Sequence, residues 1–292
     1  MAILGADIGH FYSKDSNLSI IESKVKRVKG FYDTFNEHDI LTIDSESYYL
    51  GEGIRDTNYR KVEKRNLIIL LFGLLALTTT DKFNEVVVGL PLGQYKEDKE
   101  ILKQLILSNR DKWIEINGEE KHIIIDDCEV AAEGIYSVPG DYEGIIVDIG
   151  GGTTDVCLLE KINDRRKVVN PISLPIGTIK LYQDFITKID GKYGLDLLPD
   201  DAERIIRQGL RIYGEEKEIE FALDVFKEYV ELIISRIQSE YSIKTYDITL
   251  IGGGSKLLHN SLKKRIPNVR IVDNPMFSNA IGYKELGEMI WC

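Results

Sequence analysis

Cysteine is scarce in this chain: Cys128, Cys157 and Cys292 are the only three in 292 residues. An odd number so widely spaced excludes a disulfide framework and fits a reducing compartment, so the expected location is cytoplasmic. Positive charge is also short, with 37 lysines and arginines against 48 acidic residues and a net charge of −11. A nucleic-acid-binding face is normally basic, so no direct nucleic-acid contact is expected. Lys24, Lys26, Arg27 and Lys29 form the one notable basic cluster and read as a solvated strand edge. Long hydrophobic runs are missing as well. The most apolar, Leu67 to Leu77, falls short of the ~20 residues that span a bilayer and reads as a core helix stopped by Thr78-Thr79-Thr80. The N-terminus lacks a charged leader, and Met289 to Cys292 is too short for a membrane-binding helix, so no membrane association is expected. No Gly-x-x-x-x-Gly-Lys-Ser/Thr loop occurs anywhere.

What is present is an ordinary globular composition, 43% hydrophobic and 29% charged, long enough for one large or two medium domains. A tripeptide occurs twice: Asp7-Ile8-Gly9 and Asp148-Ile149-Gly150. Each copy ends an apolar, strand-like run and leads through a tight turn into a second strand-like segment. A carboxylate two residues before such a glycine can face a ligand held by turn amides. The repeat therefore implies a duplicated scaffold with a ligand between its halves.

Between the copies, Lys61 to Leu77 reads as helix, Glu85 to Gly89 as a buried strand, and the segment after Pro91-Leu92-Gly93 as a helix carrying Ile101, Leu102, Leu105 and Ile106. Lys121 to Ile125 reads as a short strand and Glu129 to Tyr136 as one short helix. Further helices are expected near 178–190, 200–213, 216–241 and 278–290, with a strand from Asp247 to Ile251. Strands alternating with helices around repeated halves favour an α/β fold of two lobes.

Four segments can carry chemistry. In Asp148-Ile149-Gly150-Gly151-Gly152-Thr153-Thr154-Asp155, successive glycines let amides converge on an anion, and the threonines add donors. Asp155 reads as a brace for that turn. In Asp7-Ile8-Gly9-His10-Phe11-Tyr12-Ser13-Lys14, a hairpin would return Lys14 beside the turn. Ile251-Gly252-Gly253-Gly254-Ser255 feeds a strand into a helix N-terminus, a setting suited to phosphates or a closely packed nucleotide. In the fourth, Glu129 sits in the first turn of the expected helix and aims into a cleft, while Glu133 points elsewhere.

Taken together and in this order, the segments resemble the actin, Hsp70 and sugar-kinase superfamily. Asp7, Gly9 and Lys14 look like its first phosphate motif, Glu129 to Gly134 like the first connecting helix, and Asp148 to Thr154 like the second phosphate motif. Ile251 to Ser255 look like the adenosine motif, and Ser278 to Gly282 like the second connecting helix. The chain is short and lacks both a substrate-binding domain and the membrane-anchoring helix typical of MreB and FtsA relatives. It is therefore most similar to actin-like ATPases of the ParM/StbA plasmid-segregation type. His10 and Phe11 depart from the small residues frequent in the first phosphate motif.

The resemblance implies a two-lobed actin-like (ribonuclease H-like) α/β ATPase fold with a nucleotide cleft between the lobes. Lobe I would comprise residues 1–142, with an insertion near 25–66 and a C-terminal helix, 276–292, returning to it. Lobe II would comprise 143–275, with an insertion near 192–245. ATP would contact Asp7, Gly9, His10, Phe11, Lys14, Gly150, Gly151, Gly152, Thr153, Gly252, Gly253, Gly254 and Ser255, with adenine near Glu203 and Arg207. Mg²⁺ would be held by Asp7 and Asp148, largely through water, and Glu129 would orient the attacking water with help from Asp148. The implied partners are further copies in a filament and a DNA-binding adaptor protein linking it to a plasmid. A small-molecule kinase and a non-polymerising, chaperone-like ATP-dependent module remain alternatives.

Overall fold

Buried apolar strands from each half of the chain line up in two separate sheets, each with its own core. The computed structural model describes residues 1–29, 38–56, 58–163 and 165–292, so part of the expected 25–66 insertion lies outside the described residues. The first sheet contains β1 (Ala2–Ile8), β2 (Tyr12–Asp15), β3 (Ile20–Glu22), β4 (Lys24–Arg27), β5 (Ile40–Ile43), β6 (Glu46–Leu50), β7 (Ile54–Arg55), β8 (Phe83–Leu90), β9 (Asp111–Ile116) and β10 (Glu119–Ala132). Its order is β3-β2-β1-β8-β10-β9-β5-β6-β4-β7. The second sheet contains β11 (Gly144–Ile149), β12 (Thr154–Ile162) and β13 (Arg165–Leu174), and, beyond a separate hairpin of β14 (Leu210–Ile212) and β15 (Glu215–Lys217), β16 (Ile248–Ile251) and β17 (Val269–Ile271). Its order is β13-β12-β11-β16-β17.

The helices are α1 (Leu67–Thr78), α2 (Leu92–Ser108), α3 (Thr178–Tyr193), α4 (Asp201–Gln208), α5 (Asp224–Glu240), α6 (Ser255–Lys263) and α7 (Ser278–Trp291). Helix α1 is apolar on every side, and a helix of that kind must be buried all round. Its Leu70, Leu71, Leu74 and Leu75 pack with Leu4, Val86, Val88 and Val130 in the first core. In the second core, Phe185 and Ile189 of α3 and Ile233 and Ile237 of α5 cover Val147, Val156 and Leu250. Among the described residues no helix is long and apolar enough to cross a membrane.

Several local expectations change. Lys61–Glu63 is a single 3₁₀ turn, and α1 begins only at Leu67. The expected 200–213 helix stops at Gln208, and the 216–241 helix begins at Asp224, because the β14–β15 hairpin intervenes. The basic cluster is not at a sheet edge, since β4 lies between β6 and β7. Its Lys24, Lys26 and Arg27 pair with Glu22 and Asp200, Glu52, and Glu46 respectively.

The largest correction concerns Glu129 to Tyr136. No helix forms there: Glu129 lies on β10, opposite Val87 of β8. The run Glu129-Val130-Ala131-Ala132-Glu133 is compatible with a helix on local preference. A ladder along β8 outweighs that preference, as tertiary pairing commonly does. The first half of β10 pairs antiparallel with β9 and the second half parallel with β8, with a register shift between Ile125 and Asp127.

Candidate functional site

The two Asp-Ile-Gly copies form equivalent hairpins. In the first, Gly9 N–H donates to Tyr12 O (3.1 Å); in the second, Gly150 N–H donates to Thr153 O (2.9 Å). Strand register then sets which side chains face each other. Asp7 opposes Lys14 across the first hairpin, and Asp148 opposes Asp155 across the second. One hairpin is thus cation-bearing where the other is acidic.

The turns meet face to face. A Cβ on Gly151 would lie 2.9 Å from Phe11 Cβ, and one on Gly152 would lie 2.7 Å from the His10 ring. The glycines are needed for this approach as well as for the turn. The third glycine run closes the side: Gly252, at φ +82°, leaves no room for a side chain, since its Cβ would lie 2.2 Å from Asp148 Oδ1. Together these segments enclose a cavity of about 80 Å³ whose walls include Asp7, Lys14, Lys61, Glu133, Asp148 and Glu203. Small-ligand pockets run to roughly 300–1,000 Å³, so this cavity is smaller than a typical small-ligand pocket.

Most expected site residues converge here: Asp7, Gly9, His10, Phe11, Lys14, Gly150, Gly151, Gly152, Thr153, Glu203, Gly252, Gly253 and Gly254 all line the cavity. Three do not. Arg207 is exposed and outside the lining. Ser255 is fully buried and turns its hydroxyl back to Ile251 O at the end of β16, tying the glycine turn to the start of α6. Glu129 projects from β10 toward α2, where Lys99 bonds it at 2.7 Å and Lys103 lies 3.6 Å away. Burial opposes its ionisation, but the Lys99 contact prevails and holds the carboxyl below its ordinary range.

The carboxylate that does enter the cavity is Glu133. It follows the last residue of β10, and Gly134 at φ +86° turns the chain immediately afterwards. Glu133 Oε1 accepts from Lys61 Nζ at 2.7 Å. Lys61, which the sequence reading did not single out, also donates to Gly89 O (2.8 Å) and Asp7 Oδ1 (3.2 Å). Its side chain is only 2% exposed. Burial disfavours the ammonium, yet Glu133 and Asp7 outweigh that and raise its pKa above the ordinary value. No local motif marks Lys61; the only signal was an ionic residue just ahead of an apolar helix. Lys64 donates to Gly9 O (2.9 Å), and burial and Lys61 depress its pKa to about 7.

The titration behaviour separates the two hairpins. Burial works against the Asp7 carboxylate, but Lys14 (2.8 Å) and Lys61 (3.2 Å) hold it well below the usual carboxyl range. Burial and the nearby Glu133 push Asp148 up to about 8, against the opposing hydrogen bond from Asn279 Nδ2 (2.6 Å). Burial and Glu133 likewise push Asp155 up to about 7. Asp155, expected to brace its own turn, instead accepts from Leu92 N–H at the start of α2, at 3.1 Å. His10, half-buried and near Lys64, is pushed down to about 3 and stays neutral.

This asymmetry bears on magnesium. Among the described residues no group of three acidic, histidine or cysteine side chains is placed to cage a metal. Both Asp7 oxygens engage lysines, whereas Asp148 is the uncompensated carboxyl that a cation would relieve. The residues fit a phosphate at the first hairpin and a water-coordinated magnesium ion at Asp148, and Asp7 serves first as the anchor of two lysines.

Two family models match the chain. One describes the N-terminal domain of actin-like proteins and covers residues 5–135. The other describes the C-terminal domain of archaeal actin homologues of the MreB-like kind and covers 146–264. No curated protein sequence matches. Solved structures match over almost the whole length. A non-polymerisable quadruple mutant of pCBH ParM has a TM-score of 0.82 at 19% identity, covering 99% of this chain and 100% of that one. An archaeal actin homologue in complex with ADP has a TM-score of 0.81 at 19% identity, with the same coverage of 99% and 100%. A 15-stranded ParM filament from Clostridium botulinum has a TM-score of 0.77 at 19% identity, covering 98% and 99%. At these identities the likeness speaks for a two-domain actin-like fold.

Proposed function

We propose, from the premise that this chain belongs to the actin-like proteins, that it binds and hydrolyses Mg-ATP and assembles into nucleotide-dependent filaments. The observation that carries the reading is the pair of equivalent hairpins facing across one cavity, cationic at Asp7–Lys14 and acidic at Asp148–Asp155. The ADP complex of a structural neighbour supports nucleotide binding, and the filament of another supports assembly. Plasmid segregation through a DNA-binding adaptor is the finer part of the proposal and draws on the ParM likeness.

Each polar side chain has a distinct task. Lys14 and the glycine amides of both turns would bind phosphate oxygens. Asp148 would hold magnesium largely through water, and the ion would screen the phosphate charge. Glu133, steadied by Lys61, would orient the water that attacks the terminal phosphate. Phosphoryl transfer of this kind is mostly positioning and electrostatics. Hydrolysis would act as a timer: a terminal phosphate bridging both hairpins favours the closed cleft, and its loss releases that preference.

The test compares two glutamates four residues apart. Glu133→Ala should lower phosphate release by about 100-fold or more while nucleotide binding persists, and Glu129→Ala should turn over as wild type does. In a light-scattering trace after a limited ATP pulse, wild type should rise and decay, and Glu133→Ala should hold a plateau. Equal turnover in both variants and the parent would remove Glu133 from the mechanism. An absence of ATP-dependent scattering at tens of micromolar (roughly ten times a micromolar Kd) would remove the filament.

A further inference from the structure

Helix α7 sends two polar side chains inward, one helical turn apart. Positions four apart lie on one face of a helix. Asn279 is the first, and its Nδ2 donates to Asp148 Oδ2 (2.6 Å). Tyr283 is the second. Its ring packs with Val87 of β8 and Ala131 of β10, and its hydroxyl reaches the backbone of Gly89. A Cβ on Gly89 would lie 1.8 Å from that hydroxyl oxygen and 2.3 Å from the ring carbon that bears it. Glycine within a strand weakens it and marks such a close approach.

Tyr283 is 0% exposed, and its hydroxyl has no hydrogen-bond partner among the described residues. A tyrosine hydroxyl taken out of water ordinarily finds a partner. Leaving it unpaired costs stability, and a phenylalanine would fill the same space without that cost. Packing therefore accounts for the ring and not for the hydroxyl.

The neighbours of the hydroxyl indicate what it serves. Gly89 O accepts from Lys61 Nζ, the ammonium that also holds Glu133 and Asp7. Strand register brings those two carboxylates to the same end of the sheet. Ala6 pairs with Val88 and Ala132 with Leu90, so Asp7 and Glu133 each come one residue later. Burial raises the pKa of the Tyr283 phenol, and Glu133, then Asp7, Asp148 and Asp155, raise it further. The phenol keeps its proton and is a donor among acceptors. Lys61 takes Oε1 of Glu133, and a carboxylate accepts at both oxygens.

We propose that Tyr283 is a positioning residue: with nucleotide in the cleft, its hydroxyl donates through one bridging water to Glu133 and holds that carboxylate toward the attacking water. The role rests on the ATPase reading of the cleft. A bridging water bonds nearly as well as a direct partner when two or more polar groups meet it. Lys61 then fixes Glu133 from the 3₁₀ turn and Tyr283 fixes it from α7.

Tyr283→Phe deletes the hydroxyl and keeps the ring. ATP turnover should fall about tenfold, the scale of one lost hydrogen bond that orients the reacting group, while ADP affinity stays at the wild-type level. The urea midpoint of the nucleotide-free protein should hold or rise, because the resting fold loses no bond and sheds a buried unpaired hydroxyl. In a Glu133→Ala background the same change should cost nothing further, since residues that act as a unit are not additive. A lower urea midpoint would show that the hydroxyl is bonded in the resting fold, and equal losses of turnover with and without Glu133 would show that it acts elsewhere. Either result overturns the proposal. Wild type that hydrolyses ATP, matched by Tyr283→Phe, would overturn this role alone. Wild type that binds ATP without hydrolysing it would overturn the ATPase reading and this role together.

Discussion

Lys61 is an ammonium taken out of water, and its three hydrogen bonds to Glu133, Gly89 and Asp7 offset the cost. Removing one member of a buried charge group leaves the others uncompensated, which typically costs about 3–5 kcal/mol. Lys61→Met should therefore lower nucleotide-free stability in chemical denaturation by about 3 kcal/mol. It should also reduce turnover more than ATP affinity, because Glu133 loses its support. Unchanged stability would mean that the lysine is not buried as described. Asp155 and Asp148 make a second prediction at this scale. Their folded pKa values, about 7 and about 8, lie above the ordinary carboxyl value. Between roughly pH 4 and those values the folded protein holds protons that the unfolded chain has lost. Nucleotide-free stability should thus fall as pH rises through that window and level off above it. Asp155→Asn keeps an acceptor for Leu92 N–H and should make the decline in Tm from pH 5 to pH 8 shallower. A variant with the wild-type slope would show that Asp155 is ionised throughout.

At the scale of elements, α7 is held by close backbone contact on two sides. A Cβ on Gly5 of β1 would lie 2.0 Å from Ala280 O and 2.6 Å from Lys284 N, and one on Gly282 would lie 2.0 Å from Tyr136 O. Backbone on both sides cannot yield as a flexible side chain would. Gly5→Ala should therefore destabilise the protein by about 3 kcal/mol. Gly140→Ala, with nothing within 4 Å of its Cβ, should stay within about 0.5 kcal/mol of wild type. Urea midpoints compare the two, and equal midpoints would mean that α7 is free to shift. Such contacts also fix the site, since α7 carries Asn279, which bonds Asp148 and accepts from Gly134 N–H. The two hairpins were readable in the sequence because a turn is governed by its own glycines and flanking strands. Strand β10 was not. The residues from Glu129 to Ala132 are compatible with a helix locally, and only the neighbouring β8 makes them a strand.

Across the whole molecule, a charged cluster joins the first sheet to the start of α4. Asp200, at the start of α4, receives Lys24 at 2.6 Å and also pairs with Arg55. The Arg55 guanidinium lies 3.8 Å above the Phe11 ring, and Phe11 meets Tyr182 of α3 edge-on at 6.0 Å. Phe11 thereby links the first hairpin to Arg55 on one side and to α3 on the other. Under the proposed nucleotide reading, opening the cleft for exchange would break these pairs. Partly exposed pairs of this kind contribute roughly 1 kcal/mol, so Asp200→Ala should release a fluorescent ADP analogue about fivefold faster. Salt should accelerate release from wild type and leave the variant nearly unchanged. Identical salt responses would place the exchange barrier elsewhere.

The sequence by itself determined the paired Asp-Ile-Gly hairpins, the return of Lys14 beside Asp7, the glycine turn after β16 and the two-lobed α/β plan. Each follows from interactions within a few residues or from hydrophobic period, and both are written along the chain. Tertiary structure alone decided which glutamate reaches the cavity, because pairing with β8 turns Glu129 toward Lys99 and leaves Glu133 at the strand's end. It also decided the place of Lys61, 54 residues from Asp7, and of Asn279, 131 residues from Asp148. Contacts between groups so far apart depend on how whole sheets and helices pack, and no local propensity encodes that packing.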